Sequence, residues 1–400
     1  MAEQDSPRAP DLPRGTPPAS SSHGPISLLL RNFRGLREVD WSPEGVCLIA
    51  GPNGSGKTTL LEALLFLSDA FSSNLSAAVR RQRGATALRH IRAGEGDGIV
   101  VVLRVGHASW ELRLDAGDAS VGELPEERVI VGSSIDVRRS AYSARWHMGS
   151  EERGPDTDGR LCLRMAWDAR PSPELRPLTD VLRGYRYHAG YALELLRQGG
   201  KGGENDAYLT PRGENLFVVL RNWKAAPRRF DDRFNWVLDR IKRAFPGVVE
   251  DIEFDPPIGE IVPARFYPPG ERTGLPMSRA ADGFLVGLLH LTAVAGADEG
   301  AIIAIDEMEN QLHPHAIRSI LAAMREIAEK KNLTVILTTH SPVLMNEFRD
   351  EPHRFFVTDL SDRVQPTALD KLQDPEWLAH FSFGDLYDRL EIGAPPRVAK

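Results

Sequence analysis

Cysteine is scarce in this chain: among 400 residues only Cys47 and Cys162 occur. They lie far apart in apolar, strand-like runs, so no zinc-ligand spacing exists and both read as buried small side chains. No apolar run approaches the roughly 18 residues that a membrane span needs. The N-terminus lacks the apolar core of a secretory leader, so the expectation is a cytoplasmic protein with no membrane partner. An excess of positive charge is missing as well. The formal net charge is −7, which argues against a surface given over wholly to nucleic acid. No heptad run is long enough for a coiled-coil arm. From Met1 to about Pro25 there is one leucine and no aromatic residue among many prolines and serines. Such a stretch buries too little apolar surface to offset its ordering entropy, so residues 1–25 read as a disordered tail.

What is present is organised around Gly51-Pro52-Asn53-Gly54-Ser55-Gly56-Lys57-Thr58-Thr59. It fits the phosphate-binding pattern G-x-x-x-x-G-K-[ST], and its flanks fit too: Val46 to Ala50 reads as a buried strand, Leu60 to Phe66 as a helix. Glycines let the backbone N–H groups of Asn53, Gly54, Ser55, Gly56 and their neighbours turn inward as an anion nest at a helix N-terminus. Lys57 is then placed to reach β- and γ-phosphates, and the Thr58 hydroxyl to hold Mg²⁺.

The length predicts two or three lobes. Ile26 to Leu30 begins the fold as a strand, with Val39-Asp40-Trp41 as its hairpin partner. Residues 26–95 form the first part of the nucleotide domain. Arg80-Arg81-Gln82-Arg83, with Arg89, His90 and Arg92, is a basic cluster that reads either as a solvated helix end or as a phosphate contact. Residues 96–250 read as an inserted β-rich and helical lobe. Its strands are Ile99 to Leu103, Trp110 to Leu114, Val129 to Val131 and Leu161 to Leu163, and its mobile loops lie near Asp156 and Gly199 to Gly203. Its helices are Leu178 to Leu182, Tyr191 to Leu196, Asn215 to Leu220 and Phe234 to Ile241. Residues 251–400 return to the nucleotide domain.

Ala301-Ile302-Ile303-Ala304-Ile305-Asp306-Glu307 is an apolar strand ending in two carboxylates. A buried parallel strand delivers its C-terminal residues to the edge where ligands bind in open α/β sheets. Asp306 is placed to bind Mg²⁺ with Thr58, and Glu307 to orient or deprotonate an attacking water. Val335 to Thr339 is a second such strand, ending in His340, which can hydrogen-bond the γ-phosphate. Lys57, Glu307 and His340 form the candidate catalytic set. His315 reads as structural, whereas His313 stays open. Asp359 and Asp362 read as surface carboxylates rather than a metal site.

These stretches, with Ile305 to Pro314 and Thr338-Thr339-His340-Ser341-Pro342, resemble the ABC-type ATPases of the RecF/SMC-like group. More narrowly the chain is similar to the stand-alone AAA_21 ATPases, relatives of the overcoming-lysogenization-defect nucleases that lack the nuclease. Pro211 to Leu216, and Trp377-Leu378 with Phe383 to Tyr387, resemble that group's further marks. The resemblance implies an α/β fold: a P-loop ABC-type ATPase head with an antiparallel β subdomain and an inserted helical lobe. It implies ATP and Mg²⁺, and two heads that sandwich two nucleotides, each site completed by a signature segment of the other subunit. That segment is Leu275 to Phe284, with Asp282 and Gly283 at the phosphate. Where relatives carry serine before the Asp-Gly, this chain has Ala281, unless Ser278 substitutes. Gln82 is the nearest match to the Q-loop glutamine, which would place it at the metal with Thr58 and Asp306.

The function so implied is a Mg²⁺-dependent ATPase whose heads dimerise on ATP. The cycle would serve DNA maintenance or antiphage defence, with a separate protein effector such as a nuclease or toxin encoded nearby and a DNA or RNA trigger. Two alternatives stand beside it: an ATP-gated scaffold that restrains an effector with little turnover, and the ATP-binding subunit of a membrane transporter.

Overall fold

The computed structural model describes residues 24–94, 96–114, 125–141, 143–154, 159–360, 365–373, 378, 380 and 382–389. The expected tail up to residue 23, the loop around Asp156, and Asp362 and Trp377 lie outside the described residues.

At the centre is a six-stranded sheet. Five of its strands run parallel in the order Arg186–His188, Ile302–Ile305, Thr334–Thr339, Val46–Ala50 and Phe355–Val357, and Thr367–Ala368 closes the edge antiparallel. Its inner strands are apolar on both sides because both sides are covered. Alternate residues feed two different cores. Leu48, Ile303, Ile305, Val335 and Leu337 face the long helices Asp282–Gly296 and Pro314–Lys331. Cys47, Ile49, Ile302, Ala304 and Ile336 face the helix Lys57–Ser72 and a second, larger sheet.

That second sheet has eight antiparallel strands. Ile26–Phe33 pairs on one side with Leu36–Trp41 and on the other with Ile99–Val105, so one sheet continues across residue 95. Ala108–Leu114 and Glu126–Val131 follow in order. The alternating burial of these strands reflects one face packed on the core and one face solvated. The helices Leu216–Ala225 and Arg233–Ala244 pack into the same core as Asp282–Gly296.

One expected strand is a helix. Leu161 to Leu163 leads into the helix Cys162–Ala169, where Cys162, Leu163, Met165 and Ala166 are buried at helical spacing. The cause is a buried carboxylate on the strand Glu126–Val131. Glu127 accepts hydrogen bonds from the N–H groups of Cys162 (2.6 Å) and Leu163 (3.0 Å), satisfying donors that the first turn of a helix leaves open. Trp110 Nε1 (2.9 Å) and Arg139 (3.3 Å) complete its partners. Asp359 is likewise buried rather than on the surface, and Gln365 Nε2 donates to its carboxylate at 3.0 Å.

Candidate nucleotide site

Five parallel strands end together at one sheet edge. His188 and Leu337 lie opposite Ile305, and Thr339 and Val357 lie opposite Ala50. The residues immediately after these strands are therefore neighbours although they are far apart in sequence.

The glycine loop leaves the strand Val46–Ala50 and enters its helix through Gly56, whose φ of 96° suits glycine. A Cβ on Gly56 would sit 2.4 Å from Leu36, and one on Gly51 would sit 2.3 Å from Thr358, so the loop is pressed against the hairpin and the neighbouring strand end. Ser55 is buried and shares a 2.6 Å hydrogen bond with the Thr358 hydroxyl. Asn53, Gly54 and Thr58 are exposed along the outer lip, and no acidic residue occupies the first turn of the helix. The helix thus brings no negative charge of its own to the positive end of its dipole.

Lys57 is only 7% exposed, and its ammonium donates to the carbonyls of Gly51 (2.7 Å) and Pro52 (3.2 Å). Burial lowers its pKa, and the charges of Asp306, Glu307 and Glu309 pull it back up. The Thr58 hydroxyl donates to Asp306 Oδ2 at 2.9 Å across 248 residues of sequence. Two further groups hold the same carboxylate: the Thr338 hydroxyl, and Tyr187, whose phenol donates at 3.3 Å. Burial first, and then Asp306, push the Tyr187 pKa far up, so it stays a neutral donor. Thr58 and Asp306 are hard oxygen donors of the kind Mg²⁺ takes.

Glu307 is exposed and carries a φ of 52°, an uncommon conformation for a residue with a side chain. Its backbone N–H donates to Thr338 Oγ1 at 2.8 Å, and Asn310 donates to its carboxylate at 2.7 Å. Thr338 thus sets Asp306 and Glu307 together with one hydroxyl. The backbone N–H of His340 donates to Glu309 Oε1 at 2.6 Å, and its ring Nδ1 lies 3.2 Å from the Tyr387 hydroxyl. The His340 pKa is lowered, first by burial and then by Lys57, while Glu309, Glu307 and Asp306 act in the opposite sense.

Of the residues expected at the site, Lys57, Thr58, Asp306, Glu307 and His340 come together at this edge with the loop Asn53 to Thr59. Gln82 does not join Thr58 and Asp306. Its Oε1 accepts from Arg34 at 3.0 Å, and Arg34 also pairs with Glu62, one helical turn beyond Thr58. Asp282 and Gly283 open the helix Asp282–Gly296 elsewhere on the head. Ala281 and Asp282 are exposed there, Arg197 holds Asp282 and the Ala280 carbonyl, and a Cβ on Gly283 would lie 2.5 Å from the Gln311 carbonyl oxygen. His313 is the N-cap of Pro314–Lys331, accepting from the His315 N–H.

The sequence gives no sign of Tyr187, which lies on a three-residue strand. Thr338 stood in plain view within the Thr-Thr-His run, and Tyr387 within the C-terminal stretch, without a role attached to either. Beneath the edge, His290 Nε2 lies 3.0 Å from the Met308 carbonyl and its Nδ1 3.1 Å from the Tyr191 hydroxyl. His290 and its neighbour His188 are fully buried, and burial lowers their pKa values to about 4 and about 3.

The family described as "AAA domain, putative AbiEii toxin, Type IV TA system" (AAA_21) matches residues 46–346. Among curated proteins, the OLD nuclease of Thermus scotoductus is 34% identical over 128 residues, which are 30% of this chain and 22% of that protein. The DNA replication and repair protein RecF of Shewanella oneidensis is 36% identical over 95 residues, 22% of this chain and 26% of that one. The match thus spans about a quarter of the length of each relative. Among solved structures, the SMC head domain from Thermotoga maritima is 13% identical, with a TM-score of 0.40 over 86% of this chain and 99% of that one. The family match takes in the glycine loop, the Asp306-Glu307 strand end and His340, and the chain belongs to the AAA_21 family.

Proposed function

We propose that the chain hydrolyses ATP with Mg²⁺, in a cycle in which two heads pair across two nucleotides. The observation that carries this reading is the Thr58 to Asp306 hydrogen bond, which joins the two phosphate- and metal-binding motifs at one sheet edge. The loop amides of Asn53 to Thr59 and the Lys57 ammonium hold the phosphates. Thr58 and Asp306 hold Mg²⁺, which when bound offsets the charge of the phosphate oxygens. Glu307 orients the attacking water and accepts its proton, and His340 stands beside the terminal phosphate.

The helix start, exposed at Ala281 and Asp282, supports pairing, because a helix N-terminus on the surface suits a phosphate held by a second copy. A nucleic-acid trigger is supported by the basic stretch. No acidic residue occurs from Ala70 to Gly94, and Arg80, Arg83 and Arg92 are exposed beside Ile91, which is 94% exposed. The named roles of the relatives in DNA repair and as a nuclease support work on DNA; antiphage defence, a cytoplasmic location and a separate effector protein belong to the same proposal. Among the described residues, no helix is long and apolar enough to cross a membrane.

One observation favours a second reading, an ATP-gated scaffold with little turnover: Ala281 offers the partner's phosphate no hydroxyl, and no side chain caps that helix. Phosphate release by the purified chain, with and without DNA ends, decides between them. Turnover that Glu307→Gln abolishes supports hydrolysis. Turnover that is absent under all conditions, with ATP still bound, rejects hydrolysis in favour of the scaffold.

A further inference from the structure

The helix Phe383–Arg389 brings Tyr387 to the nucleotide edge. Three contacts seat the helix. Phe383 stacks on Phe355 with ring centroids 5.5 Å apart, Leu386 is buried, and the Gly384 N–H donates to Asn346 at 2.8 Å. Gly384 permits the approach, since a Cβ there would lie 2.6 Å from Pro342. Pro342 opens the short helix just past His340, so the seating fixes Tyr387 relative to the imidazole.

Two partners of the Tyr387 hydroxyl make different demands. At 3.0 Å it meets the Gly51 carbonyl oxygen, which can only accept, so the phenolic proton points there. At 3.2 Å it meets His340 Nδ1. With its single proton committed, the oxygen can only accept from the ring, and Nδ1 must carry a hydrogen. Burial and Lys57 lower the His340 pKa, which disfavours a second proton on the ring.

We propose that Tyr387 is a positioning residue for His340: it locks the imidazole as the Nδ1–H tautomer and leaves Nε2 as the bare nitrogen. The proposal deepens the hydrolytic reading and rests on it. A bare Nε2 accepts a hydrogen bond from water, or takes a proton to give an imidazolium with hydrogen on both nitrogens. It donates to a phosphate oxygen only after that proton has arrived. His340 therefore serves the terminal phosphate as an acceptor first, and Tyr387 together with the Gly51 carbonyl enforces that order. The same hydroxyl connects the glycine loop to the strand end carrying His340, so a shift of the loop on nucleotide binding is felt at the ring.

The test is Tyr387→Phe, which keeps the ring and deletes the hydroxyl. In ¹⁵N-histidine-labelled full-length protein at about pH 8, above the ordinary histidine pKa, the wild-type His340 signal should show hydrogen on Nδ1 and none on Nε2. Tyr387→Phe should move the population towards Nε2–H. ATP affinity should stay within about two-fold while kcat falls about ten-fold. In a His340→Gln background the same substitution should cost nothing further. A wild-type Nε2–H signal overturns the proposal, and so do ring signals that Tyr387→Phe leaves unmoved. A wild-type chain without ATPase activity would sink the hydrolytic reading alone, because the nitrogen assignment is read without turnover.

Discussion

The glycine-loop edge and the start of the helix Asp282–Gly296 are built in opposite ways. At the edge, Asp306 is gripped by hydroxyls from three elements, Glu307 is held through its backbone and its carboxylate, and Lys57 is buried among carbonyls. At the helix start, Ala281 has no side-chain cap, Asp282 is exposed, and one guanidinium and one close backbone approach hold the turn. The contrast is what the proposed paired cycle asks for: groups that would react are fixed against many neighbours, and the helix start that would meet a second copy is left open.

Four experiments put that contrast to the test. Glu307→Gln should have the largest effect. Removing the base should cut turnover by on the order of 10³-fold while ATP still binds, and light scattering should find an ATP-dependent dimer. A variant that stays monomeric with ATP would break the pairing half of the contrast. Next comes Lys57→Ala, which deletes the charge facing the phosphates. Nucleotide affinity measured by titration calorimetry should weaken about 100-fold. The same measurement on Ala281→Ser should show no change if, as proposed, that position serves a second copy.

The third experiment concerns the joint between the halves, where His290 of the outward helix meets the Met308 carbonyl just past Glu307. His188 and His290 are neutral in the folded state, with pKa values of about 3 and about 4 against an ordinary 6.5. The unfolded chain therefore binds more protons as pH falls below about 6.5, and stability drops from there towards pH 4. At about pH 5 each histidine should cost about 2 kcal/mol, read by urea denaturation against pH 7.5, and His290→Gln should remove about half of the dependence. Smallest is Ala281→Ser itself. Restoring a hydroxyl should raise turnover by about a few-fold, worth roughly one hydrogen bond, without moving the affinity of the isolated head. No rise would place the missing trans contact elsewhere.

Much of the edge was legible because its chemistry is written in short, continuous stretches. Gly51 to Thr59 specifies a loop by glycine spacing, and the runs ending at Asp306 and His340 are too apolar to be anything but buried strands. What was illegible arrives by packing over long distances. Tyr187 is read only once Arg186–His188 is known to pair with Ile302–Ile305. Thr338 acts on two carboxylate residues that belong to another strand. The misread of Leu161 to Leu163 has a similar origin: three apolar residues carry no period, and the carboxylate that starts the helix lies 35 residues earlier, at Glu127. Gln82 was chosen by position along the chain, and it caps the helix Leu75–Arg81 while its partner, Arg34, sits in the turn of the first hairpin.

The strand that feeds the glycine loop carries a thiol at its second residue. Burial drives the pKa of Cys47 well above the ordinary thiol range, so almost no thiolate exists while the sheet is closed. Alkylation there proceeds only from an opened sheet, at a rate set by how often it opens. Cys162 lies in the same core but on the helix that Glu127 starts, under the antiparallel cover. The two thiols are chemical clocks placed at opposite walls of one core. Their relative labelling, with and without nucleotide, would time whether the catalytic sheet and its cover loosen together or apart.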